Sequence, residues 1–210
     1  MKMDMDKRIK KHLNDVYTNL EGNPTDFLIP VPSLDAYISS NDFISVYNEV
    51  TTDKKDRYAY GHKIYADDFP VFDRLREAYP AFKDYFFFLK TNRVVKTYPI
   101  HIDGPGEFDS KAGVNWPLIN CDEQSDTVWY EPEEHDFYYH EVQNSIFLKD
   151  NVKTKEIYKF HFVDHTPHLF RGDVWHTGIN HKHQREFRVM VKWELTVNNW
   201  QEAQNALFIA

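Results

Sequence analysis

The sequence predicts a mainly β fold with helices packed against it. Three observations carry this. From about residue 84 onward, short β-branched or aromatic runs alternate with Gly, Asn, Asp and Pro. The first third instead shows apolar residues at helical spacing. Aromatic residues make up 16% of the 210-residue chain, and side chains of that size bury enough surface to build a core. Many short strands after a helical start suggest a barrel or a sandwich with helices outside.

The elements follow in order. Ile9, Leu13, Val16 and Leu20 recur on one face of a charged stretch, so residues 4–20 read as an amphipathic helix, stopped by Glu21-Gly22-Asn23-Pro24. Residues 28–48 begin with Pro30 and Pro32 and read as a loop leading into one or two short helices. Asp67-Asp68-Phe69-Pro70 opens a further helix that runs to Tyr79, because acidic residues and Pro suit a first turn. Strands are expected at 85–89, 93–102, 112–120, 127–130, 137–142, 156–164, 168–171, 174–180 and 187–197. Residues 199–207 form a closing helix. No repeat or linker interrupts the chain, which reads as one domain over 1–210: a helical N-terminal part (1–83), a β core (84–197) and a C-terminal tail (198–210).

Charge and composition narrow the function. Asp and Glu number 33 against 25 Lys and Arg, a net charge of -8, which disfavours nucleic-acid backbone binding. The single cysteine, Cys121, excludes an intrachain disulfide and a CxxC zinc motif and suits a reducing cytoplasm. Residues 1–13 lack the apolar core of a signal peptide, and the longest apolar cluster, Tyr85–Leu89, is too short to span a bilayer. A cytoplasmic protein without a membrane segment is expected. The sequence leaves the oligomeric state open.

The chain carries 11 histidines. Two stand in patterns that suit a metal. In His101-Ile102-Asp103-Gly104 the imidazole and the carboxylate share one face of a strand, because residues i and i+2 point the same way. The same pattern also fits a strand-end pair bonded to the backbone. The third candidate ligand is His176, in Arg171-Gly172-Asp173-Val174-Trp175-His176, where a Gly-Asp turn feeds a strand. Two histidines and one carboxylate can form a facial triad that leaves one side of Fe(II) open.

The order His101-x-Asp103, then His176, then a downstream Arg resembles the Fe(II)/2-oxoglutarate-dependent oxygenase superfamily. The segment Val114-Asn115-Trp116-Pro117-Leu118-Ile119-Asn120-Cys121, with Thr127-Val128-Trp129-Tyr130, resembles small prolyl- and aspartyl/asparaginyl-hydroxylase-like proteins of phage and bacteria. The segment from His176 through Asn180 to Arg188 does so too. The resemblance covers residues 84–197. It implies a double-stranded β-helix, a jelly-roll or cupin-like barrel, with His101, Asp103 and His176 on iron. It also implies O2 and 2-oxoglutarate as co-substrates, release of succinate and CO2, and hydroxylation of an amino-acid side chain or a small metabolite. An Arg would hold the distal carboxylate of 2-oxoglutarate through its planar fork. Arg185 and Arg188 both stand near the expected spacing. Val189, Val191, Trp193 and Leu195 form an apolar face suited to packing under helices, whereas Arg188, Met190 and Lys192 share the opposite face, which favours Arg188. Asn115, Asn120 and Asn180 are candidate polar partners of the site. Two alternatives stay open: a cupin-like metal-binding protein or metalloenzyme that does not use 2-oxoglutarate, to which more than three protein ligands would point, and a binding or structural protein that kept the barrel and lost its chemistry.

Other candidates have plainer readings. His140-Glu141 is not a zinc-protease motif, since residue 144 is Asn. His135 and His140 fit a surface hairpin, His181 and His183 a solvated turn, and His161, His165 and His168 sheet packing. Cys121 beside Asp122 and Glu123 is poorly placed as a nucleophile.

Overall fold

The computed structural model describes residues 2–52, 63–92, 97–103, 111–123, 125–140, 145–162, 165–181 and 187–208. It is mainly β, with two antiparallel six-stranded sheets and a few helices. The strands are β1 (Leu28–Pro30), β2 (Lys63–Tyr65), β3 (Tyr85–Asn92), β4 (His101–Asp103), β5 (Ala112–Ile119) and β6 (Ser125–Pro132), then β7 (Phe137–His140), β8 (Ser145–Leu148), β9 (Thr154–His161), β10 (His168–Arg171), β11 (His176–Asn180) and β12 (Phe187–Glu194). The first sheet has the order β1-β10-β5-β12-β3-β2, and the second β7-β8-β4-β11-β6-β9.

Helix α1 (Lys2–Thr18) buries Ile9, Leu13 and Val16. The first two pack with Ile102, Ile146, Leu148 and Trp175, so α1 covers the outer side of the second sheet. Helix α2 (Ser40–Thr52) starts at a reciprocal cap: the Asp42 carboxylate accepts from Ser39 N–H at 2.8 Å, and Asp42 N–H donates to Ser39 Oγ at 3.3 Å. Its Phe43 and Val46 pack onto the first sheet. So do Leu75 of α3 (Asp73–Ala78) and Trp200, Ala203 and Leu207 of α4 (Trp200–Phe208), the last three spaced at helical intervals.

Period-two alternation then separates the two faces of the first sheet. Val114, Trp116, Leu169, Val189, Val191 and Trp193 join the helix-covered cluster. Phe170 and Met190 point the other way, into a cluster with Trp129 and Phe162 of the second sheet's side. The Phe170 and Trp129 rings lie 5.1 Å apart, so the sheets face each other across this inner layer. Gly113 is required where β5 meets β12, because a Cβ there would stand 2.9 Å from the Trp193 carbonyl oxygen.

Several expectations need correction. The N-terminal part is not purely helical: β1 pairs with β10, and β2 with β3, as edge strands of the first sheet. The helix expected from Asp67 to Tyr79 is two 3-10 turns, Ala66–Asp68 and Pro70–Phe72, followed by the short α3. The strand expected at 93–102 is reduced to the bridge Thr97–Ile179 and the short β4, with 93–96 outside the described residues. Pro99, which has no N–H to give a ladder, lies just before β4. The strand β8 was not anticipated. Among the described residues no helix is long and apolar enough to cross a membrane.

Candidate metal centre

Strand parity builds the site. On β4, Ile102 packs outward under α1, so His101 and Asp103 face the inner layer. On β11, His176 follows the outward-packed Trp175 and also faces inward, directly opposite His101 in the register. One ligand atom from each of His101, Asp103 and His176 lies within 4.8 Å of the others. Nε2 of His176 is 3.6 Å from Asp103 Oδ2, and Nε2 of His101 is 4.0 Å from Asp103 Oδ1. The two imidazole centroids are 4.5 Å apart.

The tautomers are fixed by the backbone. His101 Nδ1 is 2.9 Å from Pro99 O, and His176 Nδ1 is 2.9 Å from Val174 O. A carbonyl only accepts, so each Nδ1 carries the proton and each Nε2 turns its lone pair inward. Burial keeps the imidazoles neutral: desolvation pulls His176 down to about 4, helped by the neighbouring His101, and it lowers His101 as well. Burial alone would raise Asp103, but the Lys192 ammonium and then the two imidazoles hold its carboxyl at about 2. Two neutral Nε2 donors and an ionised carboxylate on one wall are the donor set that a divalent ion of intermediate softness takes.

The turn that delivers His176 is braced from three sides. Asp173 bonds Nε of Arg171 at 2.8 Å and lies 3.4 Å from Nε2 of His12 on α1. These two partners overcome desolvation and keep the Asp173 carboxyl below its ordinary value. Gly172 O accepts from Asp103 N–H at 2.9 Å, which joins the turn to β4. Trp175 N–H donates to Tyr17 Oη at 3.1 Å, and the Tyr17 hydroxyl donates to Tyr130 O. Burial is the main reason that this phenol's pKa is raised.

The remaining candidates differ in where the fold places them. Arg188 and Lys192 share the face of β12 opposite Val189, Val191 and Trp193, as parity required. Lys192 reaches the centre, with Nζ 2.7 Å from Asp103 Oδ2. Arg188 lies four residues away, about 13 Å along the strand. It is 5% exposed, and among the described residues its Nε and Nη2 have no hydrogen-bond acceptor. Its Cζ stands 5.8 Å from the Phe162 ring centroid. Arg185 lies outside the described residues. Asn115 is buried on β5, in register with Lys192 on one side and His168 on the other, and its Oδ1 meets no partner among the described residues. Asn180, buried four residues beyond His176 on β11, accepts a 2.8 Å bond from Ser125 Oγ. Asn120 is exposed, with φ at 53°.

The sequence places Lys192 on the face of its strand opposite Val189, Val191 and Trp193 but assigns it no role, and it assigns none to Glu194 or Lys83. Glu194 Oε2 takes Lys83 Nζ at 3.0 Å, and its Oε1 is 3.9 Å from Lys192. The alternation of charged and apolar residues along β12 was the available signal. Asp126 was also missed. Its buried carboxylate lies 2.6 Å from His161 Nδ1 and 2.6 Å from His181 Nε2, so neither histidine merely decorates its turn or edge. His183 lies outside the described residues. His135 belongs to the segment before the β7–β8 hairpin and accepts the Trp175 indole N–H at 3.1 Å. Cys121 Sγ stays near the Val189 carbonyl at 3.4 Å. No protein-family model matches the chain, and no curated protein matches it.

Proposed function

We propose that the protein is an Fe(II)- and 2-oxoglutarate-dependent oxygenase that hydroxylates an amino-acid side chain or a small metabolite. The observation that carries this reading is the inward convergence of His101, Asp103 and His176 on a layer that also holds a buried guanidinium without an acceptor among the described residues. The strand order supports a double-stranded β-helix. The eight strands β3, β4, β5, β6, β9, β10, β11 and β12 divide as β10-β5-β12-β3 and β4-β11-β6-β9, with β7–β8 added as a hairpin beside β4. No fourth His, Cys, Asp or Glu joins the group among the described residues, which favours this reading over a cupin-like centre with more protein ligands.

Within it, the roles of the side chains follow from their placement. His101 and His176 present Nε2, and their Nδ1–H bonds to Pro99 and Val174 hold the rings in that orientation. Asp103 supplies the anionic ligand. Iron, when bound, supplies the coupled decarboxylation of 2-oxoglutarate and oxidation of a C–H bond, yielding succinate and CO2. Arg188 binds the far carboxylate of the co-substrate, for which its Nε and Nη2, without an acceptor among the described residues, are suited. Phe170, with its ring 5.0 Å from that of His176, and Trp129 keep this side of the centre apolar and exclude water. The test is succinate formation from 2-oxoglutarate by the Fe(II)-supplemented chain. Turnover is expected and should vanish in His101→Ala and His176→Ala; equal turnover in either variant would refute the assignment.

A further inference from the structure

The carboxylate of Asp103 serves two claimants. Its Oδ2 already holds the Lys192 ammonium at 2.7 Å, while the two imidazole Nε2 atoms stand 3.6 and 4.0 Å from its two oxygens. Lys192 is 8% exposed and fixed on the middle of β12, so it cannot retreat to solvent without rearrangement. A divalent ion bonded to Asp103 stands within about 5 Å of that ammonium. Repulsion between a single and a double positive charge at that range is substantial even at an effective dielectric of about 20. A second carboxylate near Lys192 is that of Glu194, two residues on along the same face, with Oε1 at 3.9 Å. Glu194 is already shared, because its Oε2 binds Lys83 at 3.0 Å and lies 3.4 Å from the Tyr85 hydroxyl. A Lys192 displaced from Asp103 would therefore exchange an unshared carboxylate for one that Lys83 already holds. Across the sheet, in register with Lys192, stands Asn115, a neutral group that leaves this deficit uncompensated.

We infer that Lys192 is an exchangeable cation of the site: it neutralises Asp103 in the metal-free protein, and on metal binding it turns to Glu194 and to a carboxylate-bearing ligand, coupling the two binding events. The inference rests on the metal site proposed above and deepens it by assigning an anion position beside the ion. The carboxylate belongs either to the keto-acid co-substrate or to the substrate, and the same chemistry would hold each. Coupling of this kind is reciprocal: the anion tightens the ion as much as the ion tightens the anion.

The test is Mn2+ binding to the full chain, read from the loss of the free-ion electron paramagnetic resonance signal, with and without saturating acetate. Wild-type protein should bind Mn2+ several-fold more tightly with acetate. Lys192→Met should bind Mn2+ on the order of tenfold more tightly without acetate, since the competing charge is gone, and should lose the acetate effect. Lys192→Arg should keep both wild-type properties. Glu194→Gln, which removes the alternative partner, should bind Mn2+ more weakly alone and show a larger acetate effect; it serves if Lys192→Met does not fold in a melt without metal. Repeating the titration with N-oxalylglycine present separates the sources. A surviving acetate effect assigns the anion position to the substrate, and a lost one assigns it to the co-substrate. Weaker or unchanged Mn2+ binding in Lys192→Met, or an acetate effect that persists in it, overturns the inference. Absence of Mn2+ binding in wild type, or binding unaffected by His176→Ala, overturns the metal site itself.

Discussion

Asp173→Ala perturbs the brace behind His176 without touching the candidate ligands. The substitution leaves the Arg171 guanidinium, only 8% exposed, without the carboxylate it binds at 2.8 Å. Removing one partner of a buried pair costs about 3–5 kcal/mol. The lower end applies here, because Arg171 Nη1 still donates to Asp26 O at 3.3 Å and its guanidinium still lies 5.7 Å from the Trp200 ring. At roughly 2–4 °C per kcal/mol for a chain of this size, a loss of about 3 kcal/mol lowers Tm by roughly 6–12 °C. The pH dependence is fixed in sign. The folded Asp173 carboxyl titrates below its ordinary value of 3.8, so its contribution is complete above that pH and is lost as pH falls further. The gap in Tm between wild type and variant should stay constant from about pH 7 to 5 and narrow below about pH 4. Thermal melts of chelator-treated protein followed by circular dichroism supply the measurement. A gap under about 2 °C, or one that widens in acid, would show that Asp173 is not held by its ion pairs.

Gly113→Ala should destabilise by about 1–3 kcal/mol, since the added methyl meets backbone 2.9 Å away, and urea titration reads the change. Trp193→Ala should cost about 3–5 kcal/mol and possess no functional signature beyond stability, because the ring is fully buried among Phe72, Phe82, Phe86 and Trp116 on the side away from the triad. Arg188→Ala should raise the 2-oxoglutarate concentration needed for half-maximal succinate formation at least tenfold, with Mn2+ affinity unchanged; an effect confined to Arg185→Ala would move the carboxylate anchor to that residue.

Much of the β core could be read directly from alternation. The strand His168–Arg171 appears with the bounds its sequence suggests, and the two faces of β12 separate as Val189, Val191 and Trp193 against Arg188, Met190 and Lys192. The β12 reading worked because the face formed by Val189, Val191 and Trp193 is wholly apolar. The edge strands β1 and β2 escaped notice because three residues carry no periodicity, and β1 ends on Pro30. β8 was hidden for a similar reason: Ile146, Phe147 and Leu148 are all buried, so its four residues do not alternate. At the site, the spacing of His101 and Asp103 placed both on one face. The partners that adjust them could not be found that way. Lys192 meets Asp103 from the other sheet, and Tyr17 and His12 reach the His176 turn from α1. Such contacts depend on how layers stack, which local pattern does not encode.

The most direct measurement is anomalous diffraction from crystals grown anaerobically with Mn2+ and N-oxalylglycine. The account predicts a single strong peak bonded to Nε2 of His101, Nε2 of His176 and one oxygen of Asp103, with the inhibitor's far carboxylate on Arg188. A peak bound elsewhere, or an ion at the triad with the inhibitor turned away from Arg188, would contradict it.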